Sequence, residues 1–189
     1  MKPARIVSLS ATPLDVPMRE PFEIAGGAQT RVRNVLVRLR LSDGTTGWGE
    51  GAPMASFNGE TQEKTLEAVR AQRRYCIGKD ISSWRPLLEN LDTRLGPQGA
   101  ARAAMGMALL DAWTRRARMP LRSLFGAAQS RVRSDVTVAI VPPQRARAQA
   151  QAILAMGVRL VKVKVGKDVD EDEERVRAVA GVSPRLKLM

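Results

Sequence analysis

The spacing of apolar residues changes character along the chain, and each change predicts an element. Ile6 to Leu14 alternates (Ile6, Val7, Leu9, Ala11), and Asn34 to Leu41 alternates more cleanly, with Val35, Val37, Leu39 and Leu41 on one face. Ser42-Asp43-Gly44 is a turn, and its Asp-Gly pair followed by Thr45 to Glu50 makes a hairpin. These stretches predict a small antiparallel sheet of three strands, with a loop holding Pro21, Phe22, Gly26 and Gly27 between the first two. From Thr61 the period becomes helical, with Leu66, Val69, Arg73, Cys76 and Ile77 on a 3.6-residue repeat that Gly78 ends. Ser82 or Ser83 can cap a second helix over Trp84 to Leu95, closed by Gly96-Pro97. A third helix, about Gln98 to Arg118, carries Ala100, Ala101, Ala103, Ala104, Gly106 and Ala108, small enough to let a neighbour approach closely, and Pro120 stops it.

The polar stretch 127–134 after Gly126 marks a boundary, giving a first domain over 1–126 and a second over 127–189. Beyond it strand and helix patterns take turns: Val136 to Val141, Gln144 to Met156, Leu160 to Val165, Glu171 to Val179 and Leu186 to Met189. A βαβαβ order implies parallel strands with helices packed on them.

Composition narrows the chemistry. No histidine is present, which excludes a Ser-His-Asp or Cys-His site within these residues and leaves Lys, Asp, Glu and Tyr as acids and bases. The single cysteine, Cys76, is expected as a buried helix residue. Lys and Arg outnumber Asp and Glu by 31 to 19, a net charge of +12, which brings nucleic acid into consideration. The arginines are scattered over helical stretches and aromatic residues make up only 4%, so a basic solvated surface fits better than a stacking platform. No apolar run approaches the roughly 18 residues of a membrane span, and a cytoplasmic setting is expected.

The sharpest local feature is Val161-Lys162-Val163-Lys164-Val165-Gly166. A period of two puts Lys162 and Lys164 on one face and the three valines on the other, where a helix layer would cover them. In a sheet that closes on itself the lysine face points inward, and two ammonium groups about 7 Å apart at their Cα atoms repel. Desolvation and a like charge both favour a neutral amine, the form that acts as a general base. On an open sheet the same lysines would be solvated and discourage edge pairing. Asp168, Asp170, Glu171, Asp172, Glu173 and Glu174 suit a helix N-terminus, where carboxylates meet the positive end of the dipole, better than a metal site. Glu50 and Asp111 read as structural hydrogen-bond partners.

Taken together, TGWGEGAP (Thr46 to Pro53), ARAAMGMALLDAW (Ala101 to Trp113), RMPLRSLFG (Arg118 to Gly126) and the Lys-x-Lys pair, in this order, resemble the muconate-lactonizing branch of the enolase superfamily and its dipeptide epimerases. The resemblance implies an α+β capping domain, a three-stranded antiparallel meander plus helices, followed by the first βα units of a (β/α) barrel that breaks off after barely two of them. It implies that Lys164 exchanges the proton α to a carboxylate while Lys162 assists electrostatically. It further implies a Mg2+ cofactor whose ligands, like an opposing lysine, come from later strands absent from this chain, so that the 189 residues alone are expected to be inactive. Substrate choice would fall to two cap loops, Pro21 through Gly27 and Met54 through Gly59, with Phe22, Ile24, Met54 and Phe57 as lining residues and Thr137 beside the substrate. The expected partner is a small carboxylate such as a dipeptide, in a homo-oligomer of the intact form. Gly26-Gly27 stand where some dipeptide epimerases place an arginine, so an N-acylamino acid racemase-like or muconate-cycloisomerase-like activity is an alternative. A noncatalytic interaction domain is the alternative from a different class.

Overall fold

Three prolines in the first nineteen-residue strand set the architecture of the N-terminal hairpin. In the computed structural model, which describes residues 3–24, 27–126, 129 and 131–189, strand β1 runs over Ile6–Ile24 and β2 over Gly27–Leu41. For residues 20, 23, 24, 27 and 28 only the backbone path is described. Pro13, Pro17 and Pro21 are spaced by four, so along an unbroken strand their missing N–H groups all face one edge. The sheet order is β1-β2-β3, with β3 over Thr46–Gly51, so β1 is an edge strand whose start at Ile6 also bonds to Gly78 and Lys79. The expected loop over Pro21–Gly27 is therefore corrected: backbone pairing carries extended structure well past the point where side-chain alternation stops, and only Ala25 and Gly26, outside the described residues, lie between the strands.

Strands β2 and β3 pair antiparallel, with Val35 opposite Gly51, Val37 opposite Gly49 and Leu39 opposite Gly47. This face is fully buried, and Val35, Val37, Leu39 and Leu41 have no exposed surface. Helices α1 (Ala55–Asn58), α2 (Gln62–Ala71), α3 (Arg73–Cys76), α4 (Trp84–Leu95), α5 (Gly99–Arg116) and α6 (Leu121–Leu124) follow. The single helix expected from Thr61 is two, broken at Gln72, and the loop expected over 54–59 contains the short helix α1. Thr61 caps α2 by accepting from the Lys64 N–H at 3.3 Å. The cap expected from Ser82 or Ser83 is supplied instead by Asp80, which accepts from the Ser82 N–H and opens a 3-10 turn over Ile81–Ser83 ahead of α4.

The closest packing in this region is between β3 and α5. A Cβ built on Gly47 would lie 2.2 Å from the Ala108 carbonyl oxygen, one on Gly49 1.9 Å from that of Ala104, and one on Gly51 2.7 Å from that of Ala100. Two strand residues rise by about 6.6 Å and four helix residues by about 6 Å. Glycine every second position of β3 thus keeps step with alanine every fourth position of α5, and the strand lies directly on helix backbone. Asp111, on the same helix, accepts the Trp48 N–H at 2.9 Å and pairs with Arg115, while Glu50 accepts from the Asn34 amide. Both carboxylates are structural, as their positions suggested. Cys76 is buried at the end of α3, and burial pushes its thiol up to about 11.

After Gln129 the elements are β4 (Val136–Val138), α7 (Pro143–Ala155), β5 (Leu160–Val163), α8 (Val169–Ala180) and β6 (Lys187–Leu188). Both β4-β5 and β5-β6 are parallel pairs. Val136, Val138, Val161, Val163, Leu186 and Leu188 pack with Ala146, Ala150, Ile153 and Val179 as one cluster, which joins one face of the sheet to the two helices. Each strand is shorter than its apolar run. Val165 falls beyond β5 and is half exposed, so two valines, not three, meet the helix layer.

By compactness the chain divides into Met1–Pro17 with Arg31–Ala128 and Met18–Thr30 with Gln129–Met189. The distal part of the β1-β2 hairpin is grouped with the parallel unit, although it belongs by sequence to the N-terminal sheet.

Candidate functional site

The face of the parallel sheet opposite the helices carries the polar residues. Thr137 on β4 stands in register with Lys162 on β5, and Leu160, in phase with Lys162, stands beside Lys187 of β6. Lys164 follows two residues after Lys162, one step past the last residue of β5, in the same phase. Thr137, Lys162 and Lys164 are all half-buried. The two amines therefore share one face at the C-terminal edge of the strands, the edge at which parallel α/β architectures present their reactive groups.

The peptide of Lys162 is tied into the sheet on both sides. Its neighbour Val163 donates to the Met189 carbonyl at 3.0 Å, and Met189 donates to the Val161 carbonyl at 3.0 Å. Lys164 donates its N–H to the Val138 carbonyl at 2.9 Å. Its own carbonyl instead faces a side chain, Arg175 of α8, at 3.5 Å.

Arg175 was not singled out by the sequence pattern. It follows five consecutive acidic residues, 170–174, yet its side chain is 1% exposed. Its Nε donates to the Val141 carbonyl at 2.6 Å and its Nη1 pairs with the Asp172 carboxylate. The other oxygen of Asp172 accepts the N–H of Gly166 at 2.6 Å and of Lys167 at 3.3 Å. The Gly166 N–H, with Arg175 and Lys167 adding to it, holds the Asp172 carboxyl below its usual range against the opposing effect of burial. A signal was available: Arg175 sits four residues before the buried Val179, on the inward face of α8. Asp168 caps the same helix by accepting the Glu171 N–H at 2.9 Å. The acidic run is thereby committed to the helix start and to Arg175, and among the described residues no group of three or more Asp, Glu, His or Cys could hold a metal ion.

The remaining expected residues lie on other elements. Phe22 lies on β1 and is half-buried, and the Ile24 side chain is outside the described residues. Met54 is the half-buried residue before α1, and Phe57 on that helix is 85% exposed.

Residues 7–126 match the family model described as mandelate racemase / muconate lactonizing enzyme, N-terminal domain. The chain belongs to this family. An aromatic dipeptide epimerase from Herpetosiphon aurantiacus is 41% identical over 136 residues, covering 72% of this chain and 38% of that protein. The crystal structure of a mandelate racemase/muconate lactonizing protein from the same organism superposes with a TM-score of 0.91 at 40% identity, covering 98% of this chain and 52% of the other. A dipeptide epimerase from Methylococcus capsulatus, solved with Mg and the dipeptide L-Arg-D-Lys, gives 0.91 at 31% identity, with 97% and 52% covered. The chain thus spans about half the length of the mandelate racemase / muconate lactonizing structures it matches. Its fold is the capping domain of that family, antiparallel strands with helices, followed by the parallel start of the barrel. The described residues do not supply a metal set like the one a magnesium-bound relative implies, so no chemical step is assigned to a metal here. Among the described residues no helix is long and apolar enough to cross a membrane.

Proposed function

We propose that the whole protein is an epimerase that removes and returns the proton α to a carboxylate, with Lys164 as the acid/base and Lys162 beside it. The observation that carries this reading is the placement of both amines on the helix-free face at the C-terminal edge of parallel strands, in a chain whose relatives include dipeptide epimerases. The Lys164 amine takes the α proton, leaving the electron pair delocalised into the carboxylate as an enediolate. Lys162 beside it attracts the anion that forms. Inversion needs a second acid on the other face, the opposing lysine expected from later strands, which would give a proton to the opposite face of the α carbon and yield the epimer.

The substrate class within this proposal is a dipeptide or another small carboxylate. Thr137, in register with Lys162, is placed beside the substrate, and Phe22, Ile24, Met54 and Phe57 are assigned to substrate choice. A homo-oligomeric form and a cytoplasmic setting belong to the same proposal. The experiment is a panel of dipeptides and N-acylamino acids incubated in D2O with Mg2+ and the protein as its gene encodes it, followed by proton NMR. Loss of the α-proton signal of at least one dipeptide, with appearance of its diastereomer, is expected. A panel that keeps every α proton would overturn the proposal.

A further inference from the structure

We infer that Arg175 is a positioning residue for Lys164, fixing the amine's backbone from below the sheet edge; the inference rests on the role proposed for Lys164. The geometry is specific to that lysine. One guanidinium, almost wholly removed from solvent, reaches the Val141 carbonyl beyond β4, the carbonyl of Lys164 itself, and Asp172. Asp172 passes the constraint on by holding the N–H groups of Gly166 and Lys167, the first residues of the turn that leaves the strand. Gly166 adopts a φ of 116°, a conformation that side chains resist. Lys164 is consequently held by one ladder bond, from its N–H to Val138, and otherwise by the Arg175-Asp172 pair. Lys162, by contrast, sits between ladder bonds to both neighbouring strands and touches none of this network.

A planar fork with five donors can serve three acceptors at once, which a lysine ammonium on a shorter reach cannot reproduce. Arg175→Lys keeps the buried charge and its partner Asp172 while losing the fork. Asp172→Asn keeps an acceptor for Gly166 while losing the ion pair. Two variants therefore separate the geometry from the charge, and either one that folds decides the question.

The test uses the 189-residue chain labelled with 13C and 15N. In both variants the Gly166 and Lys167 amides are expected to exchange about 10- to 100-fold faster, the range for losing one charged hydrogen bond. The Lys164 side-chain Cε and Hε signals should shift or broaden while those of Lys162 stay in place. If the two lysines respond together, or if neither moves, Arg175 merely stabilises the unit and the inference is overturned. A second readout uses the gene-encoded protein in the α-proton exchange assay. Arg175→Lys should lower kcat about tenfold or more at unchanged KM, as expected for a misplaced reacting group. If wild-type protein exchanges no α proton, the functional proposal fails while the lysine signals still decide the positioning role. If wild type exchanges and Arg175→Lys retains its kcat, positioning fails alone.

Discussion

Replacing Gly49 by alanine places a methyl group where helix backbone already lies. The new Cβ would meet the Ala104 carbonyl oxygen at 1.9 Å, the Ala108 nitrogen at 2.8 Å and the Ala104 carbonyl carbon at 2.9 Å. All three are main-chain atoms of α5, so no side-chain rotamer can relieve the contact. Relief to an ordinary separation of about 3.4 Å requires the helix to retreat from the sheet by about 1.5 Å, and a gap of about 0.5–1 Å already forfeits a quarter to a half of each dispersion contact it opens. Ala100, Ala104, Ala108 and Ala112 are all buried, so the loss extends along about three turns of the helix. Overpacking costs about 1–3 kcal/mol at adaptable sites, and a site with only backbone to move belongs at about 3 kcal/mol or above. The assay is urea unfolding followed by tryptophan fluorescence, because Trp48, Trp84 and Trp113, the three tryptophans, all lie in the N-terminal unit. Gly44→Ala is the control: its φ of 88° imposes backbone strain of about 1 kcal/mol, but nothing lies within 4 Å. Adding Ala104→Gly to Gly49→Ala should restore little, since the obstacle is the carbonyl and not the Ala104 methyl. A Gly49→Ala protein no less stable than Gly44→Ala, or one rescued fully by Ala104→Gly, would refute the close-packing account.

Further predictions follow from the same contacts. Glu60 is 7% exposed and accepts the Ala100 N–H at the start of α5 through both carboxylate oxygens at 3.2 Å, so Glu60→Ala should cost about 1–2 kcal/mol in the same unfolding assay. Cys76, its thiol raised to about 11 by burial, should resist alkylation at pH 8 in the native protein and react readily in denaturant. Asp80 is held below its usual range chiefly by the Ser82 N–H, and Asp43 is lowered as well, its burial outweighed by the Thr45 N–H and Arg116. Carboxyls depressed in the folded state stabilise above the unfolded value near 3.9 and lose that contribution as pH falls through the folded value. The wild-type protein should therefore lose stability below about pH 4, and Asp80→Asn together with Asp43→Asn should flatten that acid limb in pH-dependent urea unfolding.

How much of this was legible in the sequence depended on whether a residue's environment is set by its neighbours in the chain. Val35, Val37, Leu39 and Leu41 could be read as one buried face because a strand's period of two is local, and α4 could be bounded because Gly96 closes it. The parallel order of the last three strands followed from the alternation of apolar runs with helical ones. The long hairpin was hidden because its outer half lacks alternation, although the four-residue spacing of Pro13, Pro17 and Pro21 is the mark of an edge strand. The Gly47-Gly49-Gly51 and Ala100-Ala104-Ala108-Ala112 series were each visible, but only the fold brings their rises into step. At the candidate site, the shared face of Lys162 and Lys164 was legible from a period of two, whereas Thr137 and the lysines' roles came only from the family resemblance. Arg175 was not legible, since its burial depends on a carbonyl 34 residues away at Val141.

The central claim is that the Lys164 amine moves the α proton. Its most direct measurement is deuterium exchange at the α carbon of a dipeptide substrate by the gene-encoded protein, comparing wild type with Lys164→Ala and Lys162→Ala at matched folding. Lys164→Ala should lose about 100-fold or more of the exchange rate, with a smaller loss for Lys162→Ala. Exchange at the wild-type rate in Lys164→Ala would contradict the account.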